Sequence, residues 1–189
     1  MRVISGDFKG RTLKTVTNKL TRPTADKVKE ALFNIIGPYF NGGHALDLFA
    51  GSGGLGIEAL SRGIDHVIFI DQQRQAIDVI KQNLKELKLS KRAEVYQTDA
   101  FRSLKVLGKR QKKFDYIFLD PPYERNVFQQ IIEETVQRGI VTEETLIICE
   151  HEKNQQLPDR VSFFHKIRTE SYGSSVGLSL YHRKVETNE

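Results

Sequence analysis

Three glycines at G-x-G-x-x-G spacing, Gly51, Gly53 and Gly56, follow the short apolar run from Ala45 to Phe49. A helical pattern begins near Leu55, directly after the first two of them. Glycine suits this place because a strand must turn sharply into a helix while backbone N–H groups approach a ligand closely. The pattern predicts a nucleotide-like cofactor, and alone it does not say which one.

Three aspartates stand where predicted strands end: Asp71, Asp99 and Asp120. In an open α/β sheet, ligands bind outside the carboxyl ends of the strands. Asp71 lies twenty residues beyond Gly51, about the spacing at which an acid reaches the ribose hydroxyls of a bound adenosine. Asp99 could contact an adenine amino group. Either aspartate could instead cap the helix that follows it, and the two roles can coexist.

The tetrapeptide Asp120-Pro121-Pro122-Tyr123 follows a buried apolar run. Two prolines at a strand end remove two N–H donors and fix φ at both positions. The Asp120 carboxylate and the carbonyls of Asp120 and Pro121 then form a rigid group of acceptors. Such a group suits a planar amino group, and the Tyr123 ring can stack on the base that carries it. The alternative is a proline-rich turn beside a core tyrosine.

The glycine spacing also fits a nicotinamide dehydrogenase. Two features disfavour that class. Asp47 places a charge at the entry to the loop, where dehydrogenase fingerprints usually run apolar, and the double-proline motif follows another strand.

The composition, 39% hydrophobic and 28% charged, is typical of a globular protein. No apolar run approaches the ~20 residues that a membrane-spanning helix needs, and the N-terminus carries no apolar signal segment. The single cysteine, Cys149, lies in an apolar run and is expected to be a buried thiol. The five histidines show no metal-ligand spacing. We therefore expect a cytoplasmic protein that holds no metal.

Strand and helix patterns alternate through the middle of the chain, which predicts parallel strands joined by right-handed crossovers. Two further strands without a helix between them predict an antiparallel pair at the edge. The expected fold is α/β, with a doubly wound, mostly parallel seven-stranded sheet and an antiparallel C-terminal strand. The predicted strands cover residues 45–49, 66–70, 93–97, 116–119, 145–149, 161–167 and 176–182.

Residues 1–23 are predicted to form a small basic β-hairpin extension ahead of a domain that covers residues 24–189. Residues 1–30 hold eight lysines and arginines against three acids, an excess equal to the net charge of the whole chain, +5. A basic segment beside a neutral domain favours a phosphate-backbone partner, and a solvated terminus without a partner is the alternative. The candidate contacts are Arg2, Lys9, Arg11, Arg22 and Thr24, the last two at a helix entry.

Asp47-x-Phe49-x-Gly51-x-Gly53 together with Asp120-Pro121-Pro122-Tyr123 resembles the S-adenosylmethionine-dependent amino-methyltransferases of the class I fold. More closely, nearly the whole chain resembles the bacterial family that methylates the exocyclic N2 of a guanine in small-subunit (16S) ribosomal RNA. The closer likeness is carried by the basic opening from Arg2 to Arg11 and by the segments at 21–24, 31–35 and 58–63.

This resemblance implies a Rossmann-like domain that binds S-adenosylmethionine without a metal. The methionine part would lie over Ala50, Gly51, Ser52 and Gly53, with Asp47 near its ammonium group, Asp71 at the ribose, and Asp99 and Ala100 at the adenine. Asp120 and Pro121 would hold the target amine, and Tyr123 would stack on its base. The partner would be ribosomal RNA or an assembling small subunit, bound by a monomer.

Two other functions fit the same residues. A DNA adenine-N6 methyltransferase would use the Asp120–Tyr123 motif on another amine, although this chain has little room for a target-recognition region. A non-catalytic ribosome assembly factor with a vestigial cofactor site is the alternative from a different class. The intact glycine loop and double-proline motif disfavour it.

Overall fold

The computed structural model describes residues 1–16, 23–122 and 127–183 of the 189-residue chain. Helices and strands alternate in this part as the apolar runs predict. The α helices are α1 (Pro23–Ile36), α2 (Gly54–Ser61), α3 (Arg74–Glu86), α4 (Ala100–Lys109) and α5 (Phe128–Gln137). The strands are β1 (His44–Asp47), β2 (His66–Asp71), β3 (Ala93–Gln97), β4 (Phe114–Leu119), β5 (Val141–Glu152), β6 (Arg160–Val161), β7 (Phe164–Tyr172) and β8 (Val176–Arg183).

The described strands form one sheet in the order β3-β2-β1-β4-β5-β8-β7-β6. Strands β1 to β5 are parallel, and β8 runs antiparallel between β5 and β7. This order confirms the predicted doubly wound α/β fold with its antiparallel C-terminal part. The strand order reverses beside β1, where β2 and β4 flank it, and this reversal creates the crevice in which such folds bind ligands.

The described sheet has eight strands, so the predicted number of seven is wrong. The strand predicted over residues 161–167 is interrupted at Ser162, which has a φ of 55°. Val161 then pairs with Phe164 in a tight antiparallel turn that separates β6 from β7. Serine rarely takes this left-handed conformation, so the turn has no clear sequence signal.

Apolar side chains fill both faces of the sheet, as continuous apolar strands require. Helices α1, α2 and α3 cover the face that receives Ala45, Phe69 and Phe118. Helices α4 and α5 cover the opposite face of the sheet, which receives the alternate strand residues, Leu46 and Ile117 among them. Successive strand residues thus point to opposite layers. None of the described helices has both the length and the apolar character needed to cross a membrane.

Residues 1–16, named the N-terminal segment below, form a hairpin-like turn with one antiparallel bridge, Arg2 to Thr12. Three backbone hydrogen bonds join the two arms of the turn, from the N–H groups of Val3, Gly10 and Leu13 to the carbonyls of Arg11, Val3 and Met1. Glu58 accepts hydrogen bonds from the N–H groups of Ile4 and Ser5, at 2.9 and 3.0 Å. Buried Val3 and Leu13 join the core on the α1–α3 side, so the segment packs against the domain.

Candidate cofactor and amine-binding site

A cleft of about 370 Å³ opens at the carboxyl ends of the central parallel strands. Asp47 of β1 lies beside Phe69 of β2 and Phe118 of β4. Asp71 lies two residues after Phe69, and Asp120 lies two residues after Phe118. The two aspartates are therefore at the same height in the sheet, on opposite sides of the glycine loop. The described lining residues are Val16, Leu48, Phe49, Gly51, Asp71, Gln72, Gln73, Gln75, Ala76, Thr98, Asp99, Ala100, Phe101, Asp120, Pro122 and Val127.

The three loop glycines have two different structural uses. Gly51 and Gly53 have φ values of 55° and 83°, a left-handed backbone that favours glycine. Gly56 lies inside α2, where an added Cβ would stand 2.3 Å from Cε1 of Phe69. The first two glycines turn the chain from β1 into α2, and the third lets α2 pack closely on β2, as the predicted fingerprint requires.

Asp71 connects the glycine loop to the start of α3. One carboxylate oxygen accepts from the N–H of Gly51 at 2.9 Å, and the other accepts from the N–H of Gln73 at 2.8 Å. Since each oxygen has a second lone pair, the half-buried carboxylate can also accept from a ligand hydroxyl in the cleft. Both roles considered from the sequence are therefore compatible with its position.

Asp99 is the N-cap of α4, where its carboxylate accepts from the N–H of Arg102 at 3.0 Å. It also lines the cleft together with Ala100, the first residue of that helix. The capping alternative is thus observed, and the predicted adenine contact remains a prediction that the exposed position allows.

Four of the residues predicted to contact a cofactor are not in the described cleft wall: Asp47, Ala50, Ser52 and Gly53. Asp47 is only 2% exposed and accepts from the N–H of Gly56 at 3.0 Å, where a negative charge also suits the first turn of α2. Ser52 is also buried, and its hydroxyl accepts from the N–H of Val16 at 3.0 Å. These side chains hold the shape of the loop.

The residues after β4 bring acceptors to the same cleft. Half-buried Asp120 and exposed Pro122 line it, whereas Pro121 is buried outside the wall. Tyr123 lies outside the described residues. The cleft therefore combines Gly51 of the glycine loop, the two acidic strand ends after β2 and β3, and the carboxylate of Asp120.

Three of the predicted RNA contacts, Arg2, Lys9 and Arg11, are on the N-terminal segment, outside the cleft wall. The guanidinium of Arg2 lies 3.4 Å from the carboxylate of Asp26, and that of Arg11 donates to the carbonyl of Glu86 at 3.5 Å. Lys9 is exposed in the turn. Arg22 lies outside the described residues. The side chain of Thr24 is not described, although α1 begins at Pro23 and therefore places Thr24 in its first turn.

Several wall residues were not predicted from the sequence, and Thr98 is the most informative of them. Its hydroxyl oxygen is buried and has no hydrogen-bond partner among the described residues. Because a buried polar atom without a partner is unfavourable, a polar group of a bound ligand would satisfy it. Val16 and Phe101 supply apolar wall. The residues present therefore fit a ligand that is partly polar and partly apolar, as an adenosine is.

No group of three or more His, Cys, Asp or Glu side chains in the described part of the chain could hold a metal ion. Cys149 is fully buried in β5, and burial raises the pKa of its thiol, which disfavours the reactive thiolate.

Comparisons with known proteins agree with this architecture. The family model described as Conserved hypothetical protein 95 matches residues 1–182. The chain is 50% identical over 184 residues to YlbH of Bacillus subtilis, named as a candidate rRNA methyltransferase, covering 97% of this chain and 100% of that one. It is 32% identical to Ribosomal RNA small subunit methyltransferase D of Escherichia coli K12, covering 98% and 91% of the two chains. A solved Escherichia coli structure, yhhF, named as a candidate methyltransferase, has a TM-score of 0.82 at 32% identity, covering 98% and 99%.

Proposed function

The chain belongs to the family described as Conserved hypothetical protein 95, and from this premise we propose that it methylates the exocyclic N2 amine of a guanine in small-subunit ribosomal RNA, using S-adenosylmethionine. The names of its full-length relatives support methyl transfer to ribosomal RNA. The observation that carries the proposal for this chain is that Asp120 shares one cleft with the glycine loop and Asp71. This shared cleft supports a reaction in which Asp120 accepts from the target amine while the loop holds the cofactor.

The residues proposed to hold the cofactor surround the loop after β1. Gly51 and Asp71 would bind the methionine and ribose parts, and Asp99 and Ala100 the adenine, while the buried hydroxyl of Thr98 would gain a partner. Ala50, Ser52 and Gly53 would keep the loop in the required shape, and Asp47 would act from beneath it on the ammonium group. When bound, the cofactor supplies an electrophilic methyl group on a sulfonium, so the reaction needs no metal.

The amine would be positioned by acceptors at the end of β4. Its two N–H groups would donate to the Asp120 carboxylate and the Pro121 carbonyl, which favours a pyramidal nitrogen with its lone pair aimed at the methyl carbon. The same hydrogen bonds stabilise the positive charge that develops on nitrogen as the N–C bond forms and the S–C bond breaks. Positioning for in-line transfer supplies most of the remaining acceleration.

Asp120 need not be a strong base in this scheme, since the methylated ammonium is acidic enough to release its proton afterwards. Tyr123 would stack on a guanine that has been swung out of its neighbours' stack.

The function is tested by mapping methyl groups in small-subunit ribosomal RNA from cells with and without this protein. The purified protein is then given tritiated S-adenosylmethionine with unmodified RNA transcript in one arm and with small subunits from the deleted cells in another. We expect one guanine N2 methyl group to disappear on deletion and to return in at least one arm. In a third arm with unmethylated DNA, transfer to adenine would favour the DNA enzyme, and subunit binding without transfer would favour the assembly factor.

The N-terminal segment is proposed to contact the RNA backbone through Arg2, Lys9 and Arg11, with Arg22 and Thr24 at the entry to α1. We expect Arg11→Glu to weaken RNA binding about fivefold or more at low salt and to flatten its salt dependence, because one phosphate contact is lost. The affinity for S-adenosylhomocysteine stays unchanged. Titrations of labelled RNA at several salt concentrations measure both effects.

Lys153→Glu is the matched control for this change. The Lys153 ammonium also makes a single 3.5 Å hydrogen bond to a backbone carbonyl, that of Gly173, but it lies in the turn after β5. Its reversal changes the net charge equally. Equal RNA affinities of the two variants would contradict a specific role for the N-terminal segment.

A further inference from the structure

The N-terminal segment spans the height of the sheet. Helices that follow parallel strands run antiparallel to them, so the C-terminal ends of α2 and α3 lie at the edge opposite the cleft. The N–H of Asp7 donates to the carbonyl of Ser61 at 2.9 Å, and Arg11 contacts Glu86, so the turn lies at that far edge. From there residues 11–16, named the return segment, run back until Val16 reaches the cleft.

Asn83 of α3 joins the return segment to the glycine loop. Its side-chain carbonyl accepts from the N–H of Lys14 at 2.8 Å, and its amide donates to the carbonyls of Lys14 at 2.9 Å and Ser52 at 3.1 Å. The side chain is 1% exposed. Because unpaired buried amide groups are costly, these bonds hold three separate parts of the chain in one arrangement.

Ser52 adds a second connection between the same parts. Its buried hydroxyl accepts from the N–H of Val16, and its own carbonyl is the one that Asn83 binds. The loop that turns β1 into α2 is therefore tied to the return segment directly by the Ser52 side chain, and through Asn83 by the Ser52 backbone.

The two ends of the return segment meet different ligands in the proposed reaction. The buried side chain of Val16 forms part of the cleft wall. Arg11 is exposed, and the Lys14 ammonium lies at the surface 2.7 Å from the Glu86 carboxylate, with about half of its side chain exposed, 48%. One end thus faces the cofactor, and the other presents positive charge to an RNA backbone.

We propose that Asn83 and Ser52 couple the binding of cofactor to the binding of RNA, a proposal that rests on the proposed function. If the return segment leaves the loop, Val16 leaves the cofactor wall, and Lys14 and Arg11 lose the arrangement in which they meet phosphate. Both ligands therefore favour the docked segment, and each one that binds shifts the same equilibrium. Asn83 does not line the cleft among the described residues, so it acts as a positioning residue.

The experiment measures the affinity for whichever acceptor is methylated in the transfer assay, the unmodified small-subunit RNA transcript or the small subunit from deleted cells, with and without saturating S-adenosylhomocysteine. We expect about tenfold tighter RNA binding when the cofactor product is present, and an equal gain in its affinity when RNA is present, because such coupling is reciprocal. Asn83→Asp keeps the shape and the acceptor but removes both amide donors to Lys14 and Ser52. Its coupling is expected to fall to about twofold or less.

Two further variants make the result interpretable. Ser52→Ala removes only the acceptor for Val16, keeps the loop backbone, and is expected to lower the coupling if Asn83→Asp does not fold. Thr145→Val is the matched control, since this buried hydroxyl of β5 accepts from the backbone N–H of Thr142 at 2.7 Å beside Phe114, at the start of β4 and thus at the end of the strands opposite the cleft. It is expected to keep the wild-type coupling. A purely structural defect would weaken both affinities and leave their ratio unchanged.

The outcomes separate this proposal from the proposed function. Wild-type protein that transfers methyl groups but shows no coupling overturns the proposal and leaves the function intact. Full coupling in both Asn83→Asp and Ser52→Ala overturns the assignment of these residues. Wild-type protein that neither binds S-adenosylhomocysteine nor transfers methyl groups overturns both.

Discussion

Asp120→Ala is expected to lower methyl transfer to RNA about a thousandfold while leaving the affinity for S-adenosylhomocysteine within about twofold. The carboxylate stands at the end of β4, across the loop from Asp71. Its proposed hydrogen bond to the amine strengthens as positive charge develops on nitrogen, so its loss affects the transition state more than the bound cofactor. Single-turnover transfer of a tritiated methyl group and calorimetric titration measure the two quantities.

Asp115→Ala is the matched control because it removes a carboxylate from the same strand at its opposite end. Asp115 accepts from the N–H of His44 at 2.8 Å, away from the cleft. It is expected to keep methyl transfer near the wild-type rate. If the cofactor affinity of Asp120→Ala fell as far as its activity, the carboxylate would belong to the cofactor site and the proposed amine contact would be wrong.

Glu58→Gln is expected to lower the free energy of unfolding by about 3–5 kcal/mol, the range for breaking a buried ion pair. Glu58 is fully buried in α2, 2.8 Å from the guanidinium of Arg62 and 3.5 Å from the ammonium of Lys29. It also accepts from the backbone of Ile4 and Ser5. Glutamine would remove the buried carboxylate that faces both cations and turn an NH₂ group toward donors. Urea unfolding followed by circular dichroism measures the loss.

The loss should depend on pH through Lys29. Burial already lowers the pKa of this lysine below its ordinary value of 10.5, and Glu58 opposes that shift. Without Glu58 the folded-state pKa falls further, so the folded variant releases a proton that the unfolded chain still binds. Stability then rises with pH in that interval, and the loss shrinks as pH approaches 10.5.

Glu86→Gln provides the comparison for an exposed pair. Glu86 lies 2.7 Å from the Lys14 ammonium, and the two side chains are 44% and 48% exposed. Its replacement should change stability by less than about 1 kcal/mol, because solvent screens such pairs. Similar losses for both glutamates would mean that burial adds little to the Glu58 cluster.

The parts of the fold that follow from local pattern could be predicted. The apolar runs of β1, β2 and β4 indicate buried parallel strands. Asp71, Asp99 and Asp120 are predicted site residues because ligands bind beyond the carboxyl ends of such strands, and all three line one cleft. The glycine spacing also predicts the position of the loop, because Gly51 and Gly53 adopt a left-handed backbone that other residues rarely take.

The parts that depend on distant partners could not be predicted. A glutamate in a helical pattern is expected to face solvent, yet Glu58 binds backbone groups 53 and 54 residues away. Asn83 likewise binds Lys14 across 69 residues. These side chains attach the N-terminal hairpin to the domain, and no local spacing predicts such pairings. Val16 entered the cleft wall for the same reason.

The position of β8 has a consequence for how the chain reaches its final form. The last strand in the described part of the chain lies inside the sheet, between β5 and β7. Until residues 176–183 have left the ribosome, β7 and β6 have no partner that attaches them to the rest of the sheet, and β5 presents an open edge. The sheet can therefore close only after synthesis has passed Arg183, and a nascent chain interrupted earlier would carry an unpaired edge prone to association with other strands.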